Sequence, residues 1–237
     1  MIPVAAIVIL LSGTPADAFK KADAFTTEGK YSEAEAVLRE GMRQNASSHG
    51  FHLALGNVLL AKGKPADAYL EYFYEGLRAG ADPAGAAAIK AAKDLLASNR
   101  GLDVDEARRF LQGVDSVSTN PPEARRVLKT LSKERAGHFV VRFFLAETRM
   151  RSGEEEGALQ ELRTLTKEDP GFVPAMVLEA MSLRSLGRLK EAEAVAAKAR
   201  KVSPKHWALK PLELLGQATP TPLPPTPAPT RTPPPKQ

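Results

Sequence analysis

Cysteine is absent from the 237 residues, which excludes disulfides, a thiol nucleophile and cysteine-ligated zinc. Aromatic residues are scarce at 6%, and alanine supplies much of the 43% that is hydrophobic. That balance suits helices whose backbones approach closely through small side chains, and it suits a β-sandwich poorly. A dense basic block is also missing. The net charge is +5, but pairs such as Arg108-Arg109 and Arg125-Arg126 lie among acidic neighbours. A solvated mixed-charge surface accounts for them better than a nucleic-acid footprint. No G-x-S-x-G, H-E-x-x-H or phosphate-cradling glycine-rich loop occurs, so nothing indicates an enzyme, a cofactor or a small-molecule substrate.

No apolar run reaches the roughly 20 residues of a membrane-spanning helix. Ile2 to Leu11 instead has the length of a signal-peptide apolar segment, and Ala16-Asp17-Ala18 offers a small-x-small cleavage site before Phe19, although no basic residue precedes the run. Residues 1–18 are therefore expected to be a leader and the protein to be periplasmic or secreted, or cytoplasmic if the segment is only an apolar helix end. At the other end, Pro220, Pro222, Pro224, Pro225, Pro227, Pro229 and Pro233 to Pro235 alternate mainly with Thr and Ala. Lacking amide donors and fixed in φ, residues 218–237 are expected to form a disordered polyproline-II tail. Such a tail suits a proline-recognising partner, a spacer, or no partner at all.

What the middle does contain is a period. Gly29 and Gly63 are 34 residues apart, as are Ala34 and Ala68 after them; Gly153 and Gly187, Ala158 and Ala192, and Pro170 and Pro204 repeat the interval, and Ala124 extends the alanine series backward. Each glycine can close a first helix with a left-handed residue. Ala22, Gly56, Ala146 and Ala180 are expected to face Ala34, Ala68, Ala158 and Ala192 across a helical hairpin. Larger residues such as Phe25, Leu38, Leu59, Tyr72, Leu162 and Leu183 would fill the space between hairpins. Thr14-Pro15, Asp82-Pro83, Asn120-Pro121 and Ser203-Pro204 read as helix starts, and Ser32-Glu33-Ala34-Glu35 resembles a capping box.

These residues resemble the tetratricopeptide repeat family. Gly29 to Leu38 and Gly187 to Val195 are similar to its turn and second helix, and Leu55-Gly56 to its first-helix Leu-Gly pair. The resemblance implies an all-α solenoid of helical hairpins wound as a right-handed superhelix. Its units fall at 15–48, 49–82, 105–138, 139–172 and 173–206, so that 19–82 carries two repeats and 105–206 a degenerate repeat and two more. In the degenerate unit Gln112 stands at the small-residue site and Thr119 at the turn glycine. Residues 83–104 are an inserted alanine-rich helix, ended by Gly101, and 207–217, with Trp207, Leu212 and Leu215, a cap on the last repeat.

In that family, partner peptides lie along a concave groove lined by first helices. The matching positions are Phe19, Asp23 and Thr27; Leu53, Asn57 and Leu60; Arg109 and Gly113; Phe143, Glu147 and Met150; and Val177, Met181 and Arg184. Phe143, Val177 and Met181 fit an interhelical core equally well. His49 and His52 could share a helix face, but no carboxylate stands near them in sequence, which favours a surface or interhelical role over a metal. The expected function is a non-catalytic scaffold binding a protein or peptide. A nucleic-acid-binding helical repeat, suggested by a pI near 9.4, and a bridge in an exported assembly are the alternatives.

Overall fold

The computed structural model describes residues 14–80, 82–97, 105–134 and 137–212. The apolar run Ile2–Leu11, Gly101, Leu215 and the proline-rich segment lie outside them. Among the described residues there are eleven α-helices and no strand: α1 (Pro15–Thr27), α2 (Tyr31–Gln44), α3 (Phe51–Ala61), α4 (Pro65–Ala79), α5 (Pro83–Ala97), α6 (Asp105–Thr119), α7 (Pro121–Glu134), α8 (Phe139–Arg151), α9 (Glu155–Glu168), α10 (Val173–Ser185) and α11 (Leu189–Val202). A 3-10 turn, Trp207–Leu209, follows. No described helix is long and apolar enough to cross a membrane.

The helices pair as hairpins, α1 with α2, α3 with α4, α6 with α7, α8 with α9 and α10 with α11, and each hairpin packs on the next within its stack. In four of the five, a glycine closes the first helix at positive φ, from 73° at Gly187 to 77° at Gly63 and Gly153. That backbone conformation is strained for any residue bearing a Cβ. The small residues Ala22, Ala34, Ala68, Ala146, Ala158, Ala180 and Ala192 are all buried. Gly56 goes further: a Cβ there would run into the Tyr72 ring, which lies directly on the α3 backbone.

Several start signals act as expected and others do not. Thr14 and Asp17 form a reciprocal capping box on α1, Asp82 Oδ1 accepts from the Ala84 N–H at 2.9 Å, and α7 begins at Pro121. Ser203-Pro204 starts no helix. The chain turns there, and His206 caps the 3-10 turn instead, its side chain accepting from the Ala208 N–H. Ser32 lies inside α2, whose N-cap is Lys30 with no side-chain bond. In the degenerate unit, Gln112 is exposed and Gly113 takes the buried small-residue role, its would-be Cβ 3.0 Å from Leu128. The reason is local: α6 runs on to Thr119, leaving only Asn120 between the helices, so the small site moves one residue nearer Ala124.

The helix α5 packs on α3 and α4, as a third first-helix after α1 and α3. No hairpin partner follows it. Instead α6 opens a second stack that packs against α4, and α8 and α10 touch α4 as well. Twelve of the fifteen α4 residues are buried, Glu71, Glu75 and Arg78 among them, so its charged side is covered as well as its apolar one. Phe73 of α4 meets Phe110 and Phe144 at ring-centroid distances of 5.3 and 5.8 Å. Tyr74 stacks on Phe172 at 5.1 Å and meets Phe139 edge-on at 4.8 Å. One continuous core therefore runs from Ala18 to Ala175, and a separate cluster joins α10, α11 and the 3-10 turn.

Candidate functional site

The first helices of the two stacks meet opposite fates. Between α1 and α3 there is an open cavity of about 330 Å³, lined by Phe19, Ala22, Asp23, Thr26, Leu38, Gly50, Leu53, Ala54, Asn57 and Val58. Small residues keep it open: Gly50 stands at φ 94°, and a Cβ added to it would lie 3.6 Å from the Phe19 ring. Phe19 is propped on the buried Phe51, with ring centroids 4.6 Å apart. Thr26 turns its hydroxyl back to the Ala22 carbonyl at 2.7 Å, and Thr27 does the same to Asp23 at 3.0 Å, so neither hydroxyl donor is directed to a ligand.

Two polar groups remain. Asp23 is exposed on α1. Asn57 is exposed on α3, and its Oδ1 accepts from the Tyr72 hydroxyl at 2.8 Å. Burial pushes Tyr72 up to about 12, so the phenol stays protonated and remains the donor. With Oδ1 engaged, the Asn57 amide nitrogen is the free end. The groove thus offers an apolar floor, one fixed amide donor and one carboxylate acceptor, a set matched to a peptide backbone and its side chains.

In the second stack the equivalent face is already filled. α4 lies against α6, α8 and α10, and Phe143 and Val177 are only 4% and 3% exposed. Their expected place in an accessible groove is corrected to the core: Phe143 packs on Phe144 and Phe172 at ring-centroid distances of 5.0 and 5.2 Å, and Val177 joins the cluster of α10, α11 and the 3-10 turn. Of the other positions, Met150 and Leu60 pack half-buried on the main core and Met181 on the α10–α11 cluster. Glu147 pairs with Arg151 at 2.9 Å and Arg109 with Glu134 at 3.1 Å, while Arg184 is exposed. Leu53 and Asn57 share a cavity with Phe19 and Asp23; the remainder do not join them.

Sequence spacing missed the polar seam where the stacks meet. A cavity of about 550 Å³ opens there beside His52, Glu71, Tyr74, Arg78, His138 and Asp169. Arg78, 4% exposed, donates to Asp169 Oδ2 at 2.8 Å, to the Ser48 carbonyl at 3.1 Å and to the Ala46 carbonyl, and its Nη1 lies 3.1 Å from His49 Nδ1. Glu75, fully buried, accepts from the Gly50 and His52 backbone N–H groups at 2.9 and 3.0 Å, supplying the cap that Gly50 lacks for α3. Glu71 Oε2 lies 2.6 Å from His52 Nδ1, and Oε1 3.8 Å from His138 Nε2. The carboxylates absent near His49 and His52 in sequence are therefore supplied by α4. Burial raises Glu71, but its bonds to His138 and His52 outweigh that and hold the carboxyl well below the usual range. Of these pairs, Arg78 with Asp169 and Glu71 with His138 cross between the stacks, and the others tie α4 to α3 and to the connection before it.

Helical hairpins recurring at 34 residues and packed in series define a helical-repeat protein. Two tetratricopeptide repeat models match the chain, over residues 19–86 and 118–178, together more than half of its length. The chain belongs to the tetratricopeptide repeat family, whose arrays are protein-interaction scaffolds. Most of α6, the first helix of the degenerate unit, falls between the two matches. Among solved structures the chain is similar to YrrB, described as a TPR protein with an unusual peptide-binding site. The identity is 15%, with 83% of this chain and 90% of that chain covered and a TM-score of 0.42. No curated protein matches the chain.

Proposed function

We propose that the protein is a non-catalytic scaffold that holds a partner peptide or protein in the groove between α1 and α3. The observation that carries this reading is the contrast between the grooves. The α1–α3 cavity is open and carries Asp23 and Asn57 over an apolar floor, whereas the matching face of the second stack is covered by α4. A partner segment with small apolar side chains and a basic residue to meet Asp23 fits best. Many cations, including Arg125 with Glu154 and Arg142 with Glu161 and Glu168, are paired within the protein, which weighs against a nucleic-acid ligand.

The test is capture of partners from the native host by the wild-type chain, by a Leu53→Glu/Asp23→Lys variant and by an Arg184→Glu control. The groove variant should lose the partner that the wild type and the control retain. Equal capture by all three, with unchanged circular dichroism, would refute the groove. Salt-sensitive gel shifts of DNA or RNA in place of a protein partner would replace the scaffold reading itself.

We further propose export to the periplasm or beyond, on the apolar run Ile2–Leu11 and the Ala16-Asp17-Ala18 triplet. Cleavage before Phe19 would remove the Thr14–Asp17 capping box from α1. Intact mass of the protein from its host decides this: a start at Phe19 supports export, and a retained Met1 opposes it.

A further inference from the structure

A second groove has an apolar lining and a different neighbourhood. Between α4, α5 and α6 lies a cavity of about 440 Å³, within the range of ligand pockets, whose walls include Phe73, Leu77, Ile89, Leu96, Leu111 and Trp207. Lys93 is the one charged residue among its lining. Two glycines let Ile89 and Trp207 close on the α4 backbone and its C-cap. A Cβ on Gly76 would sit 2.8 Å from Ile89, and one on Gly80 would sit 3.0 Å from Trp207. Large apolar side chains are exposed at only four described positions, and two of them, Ile89 at 43% and Trp207 at 55%, rim this groove. A concentration of that kind marks a surface that something covers. The Trp207 indole N–H, moreover, donates to no described residue.

We propose that the proline-rich segment of this same chain, residues 218–237, docks in this groove through its uncharged part. From Ala218 to Thr230 there is no charged residue, and Pro220, Pro222, Leu223, Pro224 and Pro225 form its densest apolar stretch. Polyproline-II segments present apolar rings and unpaired carbonyls, and aromatic-lined grooves recognise both at little entropic cost. Trp207 supplies the aromatic wall and the N–H for one such carbonyl. Arg231 and Lys236 lie beyond the uncharged part, where they need not approach Lys93. The tether is short enough to matter. Ala218 follows Trp207 by eleven residues, an extended reach of roughly 36 Å at about 3.3 Å per residue. Weak contacts then suffice, because the segment is held at high effective concentration.

Trp207 is the only tryptophan in the chain, so its emission reports on this groove directly. The full chain, a chain ending at Gln217 and a full-length Ile89→Lys variant are compared, with circular dichroism to establish that each is folded. Docking predicts that truncation shifts Trp207 emission to the red and raises its quenching by acrylamide, and that Ile89→Lys does the same. A synthetic peptide of residues 218–237 should reverse the shift in the truncated chain saturably. The same peptide with Pro222, Leu223 and Pro225 replaced by alanine should not. Unchanged emission and quenching on truncation would overturn the proposal, as would a peptide without saturable effect. A change that grows with protein concentration alongside a dimer would place the segment on a second copy, and would equally overturn docking within one chain.

Discussion

The two stacks are built from one kind of hairpin, closed by a turn glycine in every unit but α6–α7, yet only the first keeps the groove face of its first helices open. On α1 and α3 that face carries Asp23, Thr26 and Asn57 beside Phe19 and Leu53, and water or a partner can lie on it. On α6 and α8 it carries Phe110, Phe139 and Phe143, and α4 lies across it, while on α10 Val177 is buried with α11 and the 3-10 turn. The second helices differ to match. α2 buries one stripe of Ala34, Val37, Leu38 and Gly41, as a helix on the outer wall should, while α4 buries nearly its whole circumference. A helical repeat array is thus free to bind only where no helix of its own has the side chains to occupy the groove.

The largest test of this contrast is at the seam. Arg78→Ala leaves Asp169 and the Ala46 and Ser48 carbonyls without their shared donor, and breaking such a buried network costs about 3–5 kcal/mol. Urea unfolding should show that loss, and an effect near that of an exposed pair would mean the stacks are not joined through this residue. Phe110→Ala, which empties the space beside Tyr69, Phe73 and Phe144, should cost about 3–5 kcal/mol. In the open groove, Gly56→Ala pushes against the Tyr72 ring and should cost about 1–3 kcal/mol, weakening partner binding by disturbing the Tyr72–Asn57 bond.

Acid should loosen the seam before it unfolds the rest. His206 Nε2 lies 3.1 and 3.2 Å from the Leu77 and Arg78 carbonyls, and Nδ1 accepts from the Ala208 N–H, which requires a neutral ring. Burial lowers its pKa more than the carbonyl bonds raise it. Its contribution is therefore complete above the ordinary value of about 6.5 and is lost as the pH falls through the lowered value. Glu71, also lowered, contributes above the ordinary carboxylate value of about 4.3 and is lost below it. Urea midpoints should fall on acidification, the first decline disappearing in His206→Gln, which retains the donor and cannot titrate. A midpoint that rises as the pH drops would contradict both assignments. The smallest stability effect belongs to Leu53→Ala, below about 1 kcal/mol at a half-exposed site, so any loss of partner binding by that variant reports the groove itself.

Much of this architecture is legible along the chain because it depends on neighbours in sequence. A left-handed glycine after a first helix, a small residue at each close crossing and a Thr-Pro or Asp-Pro start are local requirements, and they mark the hairpins. Gly113 shows the limit: dropping the turn glycine moved the small site by one residue, which the 34-residue period could not indicate. Leu53 and Asn57, expected along the groove, line the open cavity between α1 and α3, whereas Phe143 and Val177, at equivalent positions of their repeats, are buried.

By itself, then, the sequence determined the hairpins and their stacking, since helix periodicity and turn geometry act over a few residues. Only the tertiary structure decided which groove stays available, how Glu71, Glu75 and Arg78 find partners on α3, α8 and the α9–α10 connection, and where α5 sits. The physical reason is range. Burying α4 on nearly every side needs partners for its aromatics and also for Glu71, Glu75 and Arg78, and those partners lie on surfaces distant in the chain, found by aromatic packing and charge pairing that no local pattern encodes.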